Sequence, residues 1–362
     1  MNEASTSNGG GSEVVPPAKK ESRKPKYTKF TQQELPACKP LLTPKWVITI
    51  FMLVGIIFIP IGAVTLLASN KVVEIVHRYD DSCLPSNAIT KEEKVTFIQS
   101  ASSNKSCPVT LTVPKKMSAP VYIYYQLDNY YQNHRRYVKS YDASQLRDNS
   151  VGSTTGSGPS GCKPEATLNG RPIVPCGLIA WSLFNDSYSF AVGGVPLTPN
   201  RVGISWKSDR DDKFGRITPF NFPNNNNVTN TSLIGGGSIP ENEPLDQDED
   251  LIVWMRTAAL PTFRKLWGKI ETDLSEGQTI SVNILNNYNT YTFSGKKKLV
   301  LSTTSWLGGK NNFLGIAYLT VGILCIVLAF AFFLIHLRNP RPLGDPSYLS
   351  WNKKQPVPSS SG

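Results

Sequence analysis

Histidine is scarce in this chain, and the motifs that usually carry enzyme chemistry are missing. The 362 residues include three histidines and no GxSxG turn, Walker phosphate loop or dinucleotide-binding fingerprint. His134, the one candidate general base, stands beside Arg135 and Arg136, which favours a charged structural cluster. The acidic run 209–212 lacks the glycine and glutamate of an EF-hand, and no CxxC pair occurs. We therefore expect no enzyme, no cofactor and no metal site.

Charged side chains are absent from two long apolar runs, 47–68 and 314–335. Each run has 22 residues without Asp, Glu, Lys or Arg. As a helix, either would be about 33 Å long, enough to cross a hydrocarbon core of about 30 Å. The sequence therefore predicts two transmembrane helices, with 69–313 forming one large domain between them on one side of the membrane.

Strongly polar side chains are also rare within the two runs. Because channels and transporters normally place ionisable groups at membrane depth, these helices are predicted to anchor and pack rather than to conduct. Small residues recur at seven-residue steps, at Gly55 and Gly62 and again at Gly315, Gly322 and Ala329. This spacing has two interpretations. The small residues form faces for close contact between helices, or they occur only because glycine is common in membrane helices.

The two tails carry most of the net positive charge. They hold 12 of the 38 basic and 5 of the 27 acidic residues, a net charge of +7 against +4 for the middle. The positive-inside rule therefore predicts a cytosolic N-terminal tail, 1–46, with 1–26 disordered, and a cytosolic C-terminal tail, 336–362. We expect weak attraction to anionic membrane lipids and no nucleic-acid binding, because the basic residues are not gathered on a folded module.

The middle domain has sequence features that are typical of exoplasmic domains. Glycosylation sequons occur at Asn104, Asn185, Asn227 and Asn230. All four lie in the region that the charge rule places outside the cytosol, so each is a candidate glycosylation site.

Four cysteines in the same domain predict two disulfides, because their number is even and the compartment is oxidising. Cys83, Cys107, Cys162 and Cys176 allow three pairings. We favour the sequential one, Cys83–Cys107 and Cys162–Cys176, which closes two short loops. The remaining pair, Cys38 and Cys325, are expected to be free thiols.

The pattern of the middle domain predicts a β-rich α+β fold. Its β-branched and aromatic runs predict strands at 121–127, 250–257, 280–285, 290–293 and 297–303. Asp128 is expected to cap a short helix that follows the first strand. A second short helix is predicted at 260–270, where Phe263, Leu266, Trp267 and Ile270 have helical spacing.

Specific strings along the chain resemble one known family, the β-subunits of type IV P-type ATPases, which are phospholipid flippases. In plants these are called ALA-interacting subunits, within the wider cell-cycle control protein 50 family. The matching strings are ELPACKPLLTP (34–44), IFIPIGA (57–63), YYQLDNYYQNHRRYVKS (124–140), CGLIAWSLFNDS (176–187), DLIVWMRTAALPTFRKLWGKI (250–270) and STTSWLGGKNNFLGIAYLTVG (302–322).

The resemblance implies a glycosylated, non-catalytic subunit whose exoplasmic domain has an antiparallel sheet as its core. This subunit would pair with a P4-type ATPase catalytic subunit as a heterodimer. The pair would move phospholipid from the exoplasmic to the cytosolic leaflet. The accessory chain would be needed for exit from the endoplasmic reticulum and for the catalytic subunit's stability and full activity. The resemblance further implies residence in the endoplasmic reticulum, in Golgi and endosomal (prevacuolar) membranes and at the plasma membrane.

The resemblance also directs attention to partner contacts in the lead-in before the first span and in 124–140 and 250–270. The last two segments are dense in Tyr, Trp and Arg, as interfaces often are. The candidate contact residues are Leu35, Pro36, Tyr130, His134, Arg135, Arg136, Trp254, Arg256 and Arg264. For Trp254 and Trp267, filling the core is an equal alternative.

Two other functions remain open at the level of sequence. One is a ligand-gated channel subunit, since some channels share two spans and a large cysteine-containing loop; the absence of a polar stripe in the spans argues against it. The other is an enzyme that modifies lipids or glycans in the lumen, which the missing catalytic motifs disfavour.

Overall fold

The computed structural model describes residues 27–36, 42–100, 103–148, 160–224 and 236–340. These residues form two compact units, one made of the described residues up to Phe51 and from Leu328 onwards, and the other of the described residues between Met52 and Val327. In the first unit, the rings of Phe51 and Phe332 lie 6.1 Å apart. The second unit holds most of the chain, including both disulfides and the residues that carry the functional argument.

Eight α-helices are present in the described part of the chain. They are α1 (Pro44–Asn70), α2 (Lys91–Gln99), α3 (Arg135–Val138), α4 (Ala143–Arg147), α5 (Leu178–Trp181), α6 (Lys207–Lys213), α7 (Glu249–Met255) and α8 (Asn312–Arg338). α1 and α8 contain the two predicted spans and extend a few residues beyond them. Their most apolar stretches have mean hydropathies of 2.8 and 2.7 and are largely exposed, as expected of helices that face lipid.

Within residues 52–327, α1 and α8 meet through their glycines. A Cβ atom added at Gly62 would lie 2.8 Å from the Leu319 backbone nitrogen, and one added at Gly315 would lie 2.8 Å from Leu66 Cβ. Both distances are shorter than real Cβ contacts, so only a glycine allows the backbones this close. The seven-residue spacing of small residues therefore serves contact between the two helices.

Ten strands, counted over the same described residues, form the rest of the framework. They are β1 (Glu74–Arg78), β2 (Ser106–Thr112), β3 (Val121–Asp128), β4 (Thr167–Leu168), β5 (Arg171–Pro172), β6 (Ser187–Val192), β7 (Val195–Leu197), β8 (Phe263–Ile270), β9 (Thr279–Leu285) and β10 (Lys296–Ser302). One antiparallel sheet has the order β1-β10-β3-β8 and a second has β2-β9-β6-β7, while β4 and β5 form a small hairpin. The predicted antiparallel, β-rich middle domain is confirmed.

Strand β9 shows why these residues pair in sheets. Ile280, Val282 and Ile284 are buried while the residues between them are exposed, which is the period of two expected for a half-buried strand. The buried faces of both sheets contribute to one hydrophobic core, which also contains Trp254 and Phe222.

Two disulfides cross-link the domain. Cys83 is bonded to Cys107 and Cys162 to Cys176, with Cα atoms 5.3 and 5.6 Å apart. This is the sequential pairing favoured from the sequence. Cys325 is a buried free thiol, and Cys38 lies outside the described residues.

The predicted strand at 250–257 is wrong, because this segment forms helix α7. The Asp248 side chain accepts a hydrogen bond from the Leu251 backbone nitrogen at 3.0 Å, and Glu249 and Asp250 fill the first turn. An aspartate cap and an acidic first turn stabilise the start of a helix strongly enough to override the β-branched residues that follow.

The predicted helix at 260–270 is also wrong, because this segment forms strand β8. Phe263, Lys265 and Trp267 are buried at alternate positions, and Lys265 breaks the apolar pattern that would have marked a strand. A β-bulge at Trp267 then shifts the register, since Tyr124 pairs with Leu266 while its neighbour pairs with Gly268. Because of the bulge, Ile270 is buried three residues after Trp267, and this spacing is the same as that of residues on one face of a helix.

Two smaller predictions near the ends of strands are wrong as well. Asp128 ends β3 and pairs with Lys298 at 2.7 Å, while His134 caps the short helix α3. Residues 291–293 form a turn of 3-10 helix rather than a strand, and Ser294 after them has a positive φ of 57°.

Candidate partner interface

The segment that follows β3 leaves the sheet and is held by backbone groups of a neighbouring loop. Asn129, at a φ of 62°, turns the chain. The Tyr130 backbone nitrogen donates to the Pro261 carbonyl oxygen at 2.9 Å, and the buried Gln132 side chain accepts from the Ala258 nitrogen at 2.9 Å. This anchoring fixes the position from which α3 presents its side chains.

Tyr130 and Trp254 lie within an aromatic cluster of the core. The Tyr130 ring is 5.7 Å from the ring of Trp254, 5.9 Å from that of Phe263 and 5.3 Å from that of Phe293. Trp254 is fully buried and its indole nitrogen donates to the Ile179 carbonyl oxygen at 2.8 Å. Trp254 therefore has the core-filling role that was the alternative to a partner contact, whereas Tyr130 is half-buried and keeps an accessible edge.

Arg256 and Arg264 are held at the surface by acidic partners. Arg256 pairs with Asp209 at 2.9 Å and its guanidinium lies 4.9 Å from the ring of the exposed Trp206. Arg264 pairs with Glu74 at 2.7 Å. Both side chains are partly exposed and can contribute to an interface. A binding partner would then compete with the internal ion pairs for these arginines.

Arg135 and Arg136 belong to a group of positive charges that we call the basic groove. Together with Lys139 and Lys163 they line a surface depression of about 940 Å³. Within the described residues, none of these four side chains forms an ion pair. His134 is exposed beside them, at the start of α3. The structure thus gathers three of the predicted contact residues at one place, and it adds Lys139 and Lys163, which the sequence reasoning missed.

Leu35 and Pro36 lie in the described piece of the lead-in, 27–36. Leu35 is 55% exposed, and the segment is folded on itself by reciprocal bonds between Thr28 and Thr31. Leu35 follows this turn and is accessible, and its contact with another protein stays a prediction.

Sequence reasoning also missed Lys265, a buried side chain of β8 that reaches the end of α7. Its ammonium donates to the carbonyl oxygens of Val253, Trp254 and Arg256 at 2.6–2.8 Å. Burial, with a smaller effect of the Arg256 charge, lowers the pKa of Lys265 to about 7. The lysine supplies hydrogen bonds that the last carbonyls of a helix otherwise lack.

A second buried lysine, Lys297 of β10, pairs with Asp186 at 2.7 Å, and both side chains are fully buried. Asp186 also accepts hydrogen bonds from the Tyr79 hydroxyl at 2.7 Å and from the Tyr288 backbone nitrogen at 2.6 Å. Burial lowers the pKa of Lys297, and the Asp186 carboxylate opposes this effect. This network connects β10 to the residues just before β6, and the sequence carried no signal for it.

The sequons differ in their surroundings. Asn104 is exposed, and its side-chain oxygen accepts from the Ser106 backbone nitrogen at 3.0 Å, which is an Asx turn. Asn185 is half-buried just before β6. Asn227 and Asn230 lie outside the described residues. No group of three or more His, Cys, Asp or Glu side chains in the described part of the chain could hold a metal ion.

Comparison with known proteins gives a consistent result. The model of the LEM3 (ligand-effect modulator 3) family / CDC50 family matches residues 65–342. The chain is 58% identical to ALA-interacting subunit 3 of Arabidopsis thaliana over 354 residues, covering 97% of this chain and 98% of the relative. It is 38% identical to cell cycle control protein 50A of Bos taurus, covering 90% and 93%.

The chain belongs to the LEM3/CDC50 family. Another relative is the phospholipid-transporting ATPase accessory subunit CRF1 of Saccharomyces cerevisiae, which is 33% identical and covers 94% of this chain and 92% of the relative. The resemblance deduced from the six strings is therefore confirmed.

Membership in the LEM3/CDC50 family also bears on the alternatives. The family match includes the C-terminal end of α1, the whole sheet domain and α8. Two of these relatives are named as an interacting subunit and an accessory subunit, and these names give no support to the channel alternative.

Proposed function

We propose that this chain is the non-catalytic accessory subunit (β-subunit) of a P4-type ATPase phospholipid flippase, with which it forms a heterodimer. The observation that carries the proposal is the similarity, over nearly the full length, to ALA-interacting subunits and to a phospholipid-transporting ATPase accessory subunit. The chain's own spans agree with it, because two helices without Asp, Glu, Lys, Arg or His at membrane depth provide no path for a polar substrate. ATP hydrolysis and lipid movement then belong to the catalytic partner.

The orientation follows from the charge of the tails. Residues 1–46 and 336–362 face the cytosol, 47–68 and 314–335 span the bilayer, and 69–313 form the exoplasmic domain. Asn104 is the strongest glycosylation candidate, because it is exposed and ends a loop just before β2. The two disulfides are consistent with folding in an oxidising compartment.

The physical role of such a subunit is to provide preformed surfaces. The closely packed helix pair, the cross-linked sheet domain and the lead-in segment each present side chains that need little ordering on binding. Leu35 and Pro36 would contact the cytosolic side of the partner, and the basic groove would contact its exoplasmic side. The complex would form in the endoplasmic reticulum and travel through Golgi and endosomal membranes to the plasma membrane.

Co-expression with a P4-type ATPase catalytic subunit tests the proposal. Full-length tagged protein, expressed alone or with the catalytic subunit, is compared by co-purification and by the sensitivity of its glycans to endoglycosidase H. We expect sensitive glycans when the chain is alone and resistant glycans when the pair assembles. ATP hydrolysis and translocation of fluorescent phospholipid should require the partner. Efficient export of the lone chain, together with failure to co-purify, would refute the proposed role.

A further inference from the structure

The connection from β10 to α8 contains a tight turn with large apolar side chains at its tip. Ser305 and Gly308 exchange two backbone hydrogen bonds, in which the nitrogen of each residue donates to the carbonyl oxygen of the other at 2.8 and 2.9 Å. The two residues between them are Trp306, which is 74% exposed, and Leu307, which is 36% exposed. Small or polar residues normally occupy the centre of a turn. The turn itself therefore gives no reason for an exposed tryptophan and leucine here.

Both ends of this connection are fixed to the end of α1 and the residues after it. At the start, the Thr303 nitrogen donates to the Val73 carbonyl oxygen, and the Val73 nitrogen donates to the Thr303 hydroxyl, each at 3.0 Å. At the end, the buried Ser69 hydroxyl accepts from the Asn311 nitrogen at 2.9 Å and donates to the Asn312 side-chain oxygen at 2.6 Å. The turn is therefore attached to the adjacent ends of both helices.

The turn lies in the layer between the sheet and the membrane. Trp306 is three residues after Thr303, so their Cα atoms are at most about 11 Å apart. Thr303 directly follows β10, whose last residue, Ser302, pairs with Glu74, four residues after α1. α8 has 27 residues and is about 40 Å long, which exceeds a hydrocarbon core of about 30 Å. Its first residues therefore lie among the lipid headgroups, and the turn is within reach of them.

The apolar surface of the turn continues onto α8. Phe313 and Ile316 are 78% and 53% exposed, and their spacing of three residues places them on one face of the helix. The apolar part of α8 beyond them is largely exposed as well, as expected of a helix that faces lipid. The exposed side chains of the turn thus extend the lipid-facing surface of α8 toward the sheet domain.

The charges around the turn favour a lipid surface over a second protein. Lys71 and Lys310 are exposed, and neither forms an ion pair within the described residues. No Asp or Glu occurs in 47–73 or in 303–340. Lysine is depleted at protein interfaces, whereas at a membrane surface it extends its ammonium group toward the headgroups. Tryptophan is enriched at that same boundary, because its ring is apolar and its nitrogen is a hydrogen-bond donor.

We propose that residues 305–313, which we call the interfacial loop, insert Trp306 and Leu307 into the exoplasmic leaflet of the bilayer. The two side chains lie at the level of the lipid ester groups, where the indole nitrogen donates to a lipid oxygen. Lys71 and Lys310 contact lipid phosphates. Because the loop is hydrogen-bonded to the end of α1, this insertion fixes the height of the sheet domain above the membrane. The inference rests on the proposed function for the side of the membrane that the loop enters.

Fluorescence quenching in the full-length protein tests the position of the loop. Leu307→Cys is labelled with the fluorophore NBD in a chain that also carries Cys38→Ser and Cys325→Ala, and the chain is placed in phosphatidylcholine nanodiscs with and without the catalytic subunit. The control is Lys296→Cys, because Lys296 is exposed at the far end of β10, about 20 Å from Ser302. We expect phosphatidylcholine with a nitroxide near its ester groups to quench position 307 about threefold more than position 296.

Aqueous iodide identifies what covers position 307 in the same samples. Weak quenching by iodide together with strong quenching by the lipid nitroxide is the expected result. Strong quenching by iodide alone would show that the loop is in water. Quenching by neither agent would show that protein covers it. Either of these two results would overturn the inference.

The role of the tryptophan is tested with the same probe at position 307. Trp306→Glu should reduce quenching by the lipid nitroxide by about half or more, because a carboxylate does not enter the ester region, whereas Trp306→Phe should preserve the quenching. Both substitutions change a side chain that is 74% exposed, so the fold should tolerate them. Equal quenching in all three proteins would overturn the role assigned to Trp306.

The presence or absence of the catalytic subunit separates this inference from the proposed function. The lone chain and the complex should give the same lipid quenching, because this chain alone makes the contact. Lipid quenching at position 307 in a chain that never co-purifies with a catalytic subunit would refute the proposed function and support the interfacial loop. An intact complex without lipid quenching would support the proposed function and refute the interfacial loop.

Discussion

The ammonium group of Lys265 donates a hydrogen bond to the carbonyl oxygen of Trp254 across 2.7 Å, and this contact joins β8 to the last turn of α7. The lysine makes two further bonds, to the carbonyl oxygens of Val253 and Arg256. Buried carbonyls without partners are expensive, so the lysine replaces the water that an exposed helix end would use. The contact explains how a charged residue can occupy an inward-facing position of a strand.

Replacement of Lys265 by methionine should destabilise the fold by about 2–4 kcal/mol. Methionine keeps the apolar stem but leaves three carbonyl oxygens without a donor. Thermal or denaturant unfolding of the purified protein measures the effect. Lys269→Met is the control, since Lys269 is on the same strand and makes one exposed bond to the Gly203 carbonyl oxygen. Similar losses in the two variants would show that the helix cap contributes little.

Lys265 also shows where sequence reasoning about the fold succeeds and fails. Strands such as β3 and β9 were predictable, because their apolar residues follow the strand period without interruption. At β8, a buried lysine and a bulge at Trp267 disrupt that period, and both are consequences of tertiary contacts. For α7, the local signal was present, because an Asp-Glu-Asp run at 248–250 is typical of a helix start.

The candidate interface was predictable to a similar degree. The cluster at 134–136 could be recognised from its density of charge and aromatic residues. Lys163, by contrast, is far away in sequence and reaches the groove only through the fold, next to the Cys162–Cys176 bridge. Tyr130 and Trp254 looked alike in the sequence, and only three-dimensional burial distinguishes an accessible ring from a core ring.

Asp248 makes the stability of the domain dependent on pH. Burial raises the pKa of Asp248 from 3.8 to about 6 in the folded protein, and the nearby Asp250 and Glu243 charges add to the effect. A raised pKa means that the folded state binds the proton more tightly than the unfolded state. The contribution of this protonation to folding stability is therefore complete below pH 3.8 and is lost as the pH rises through about 6.

Asp248→Asn should accordingly stabilise the protein at pH 7.5, by about 1–2 kcal/mol, and have a smaller effect at pH 5. Asparagine is an equally good helix cap and has no charge to bury. Melting temperatures of both proteins at the two pH values measure the difference. Asp142→Asn, at the cap of α4, removes the same charge from another helix cap and shows the general effect of charge. A stabilisation that does not change with pH would contradict this explanation.

The buried pair of Lys297 and Asp186 should be strongly coupled. Lys297→Met alone leaves a buried carboxylate without its cation, and we expect a loss of about 3–5 kcal/mol. Adding Asp186→Asn removes that charge and keeps an acceptor for the Tyr288 backbone nitrogen, so part of the stability should return. The second substitution also leaves the Asn185 sequon unchanged, which keeps glycosylation comparable.

A double-mutant cycle, with unfolding free energies of the four proteins, measures this coupling. The expected result is a double variant that is more stable than Lys297→Met alone. If the losses simply add, the two groups act independently and the ion pair is not the reason for their burial.

The contact between α1 and α8 should depend on the absence of side chains at its glycines. Gly62→Leu places a Cβ atom 2.8 Å from the Leu319 backbone nitrogen. The two helices must move apart to relieve this clash. Such overpacking costs about 1–3 kcal/mol. We expect a lower melting temperature and less co-purified catalytic subunit, because the pair would present a different surface. Val64→Leu, at an exposed position of the same helix, adds bulk without a clash and should change neither quantity. Normal assembly of the Gly62 variant would show that the partner contacts tolerate a separated helix pair.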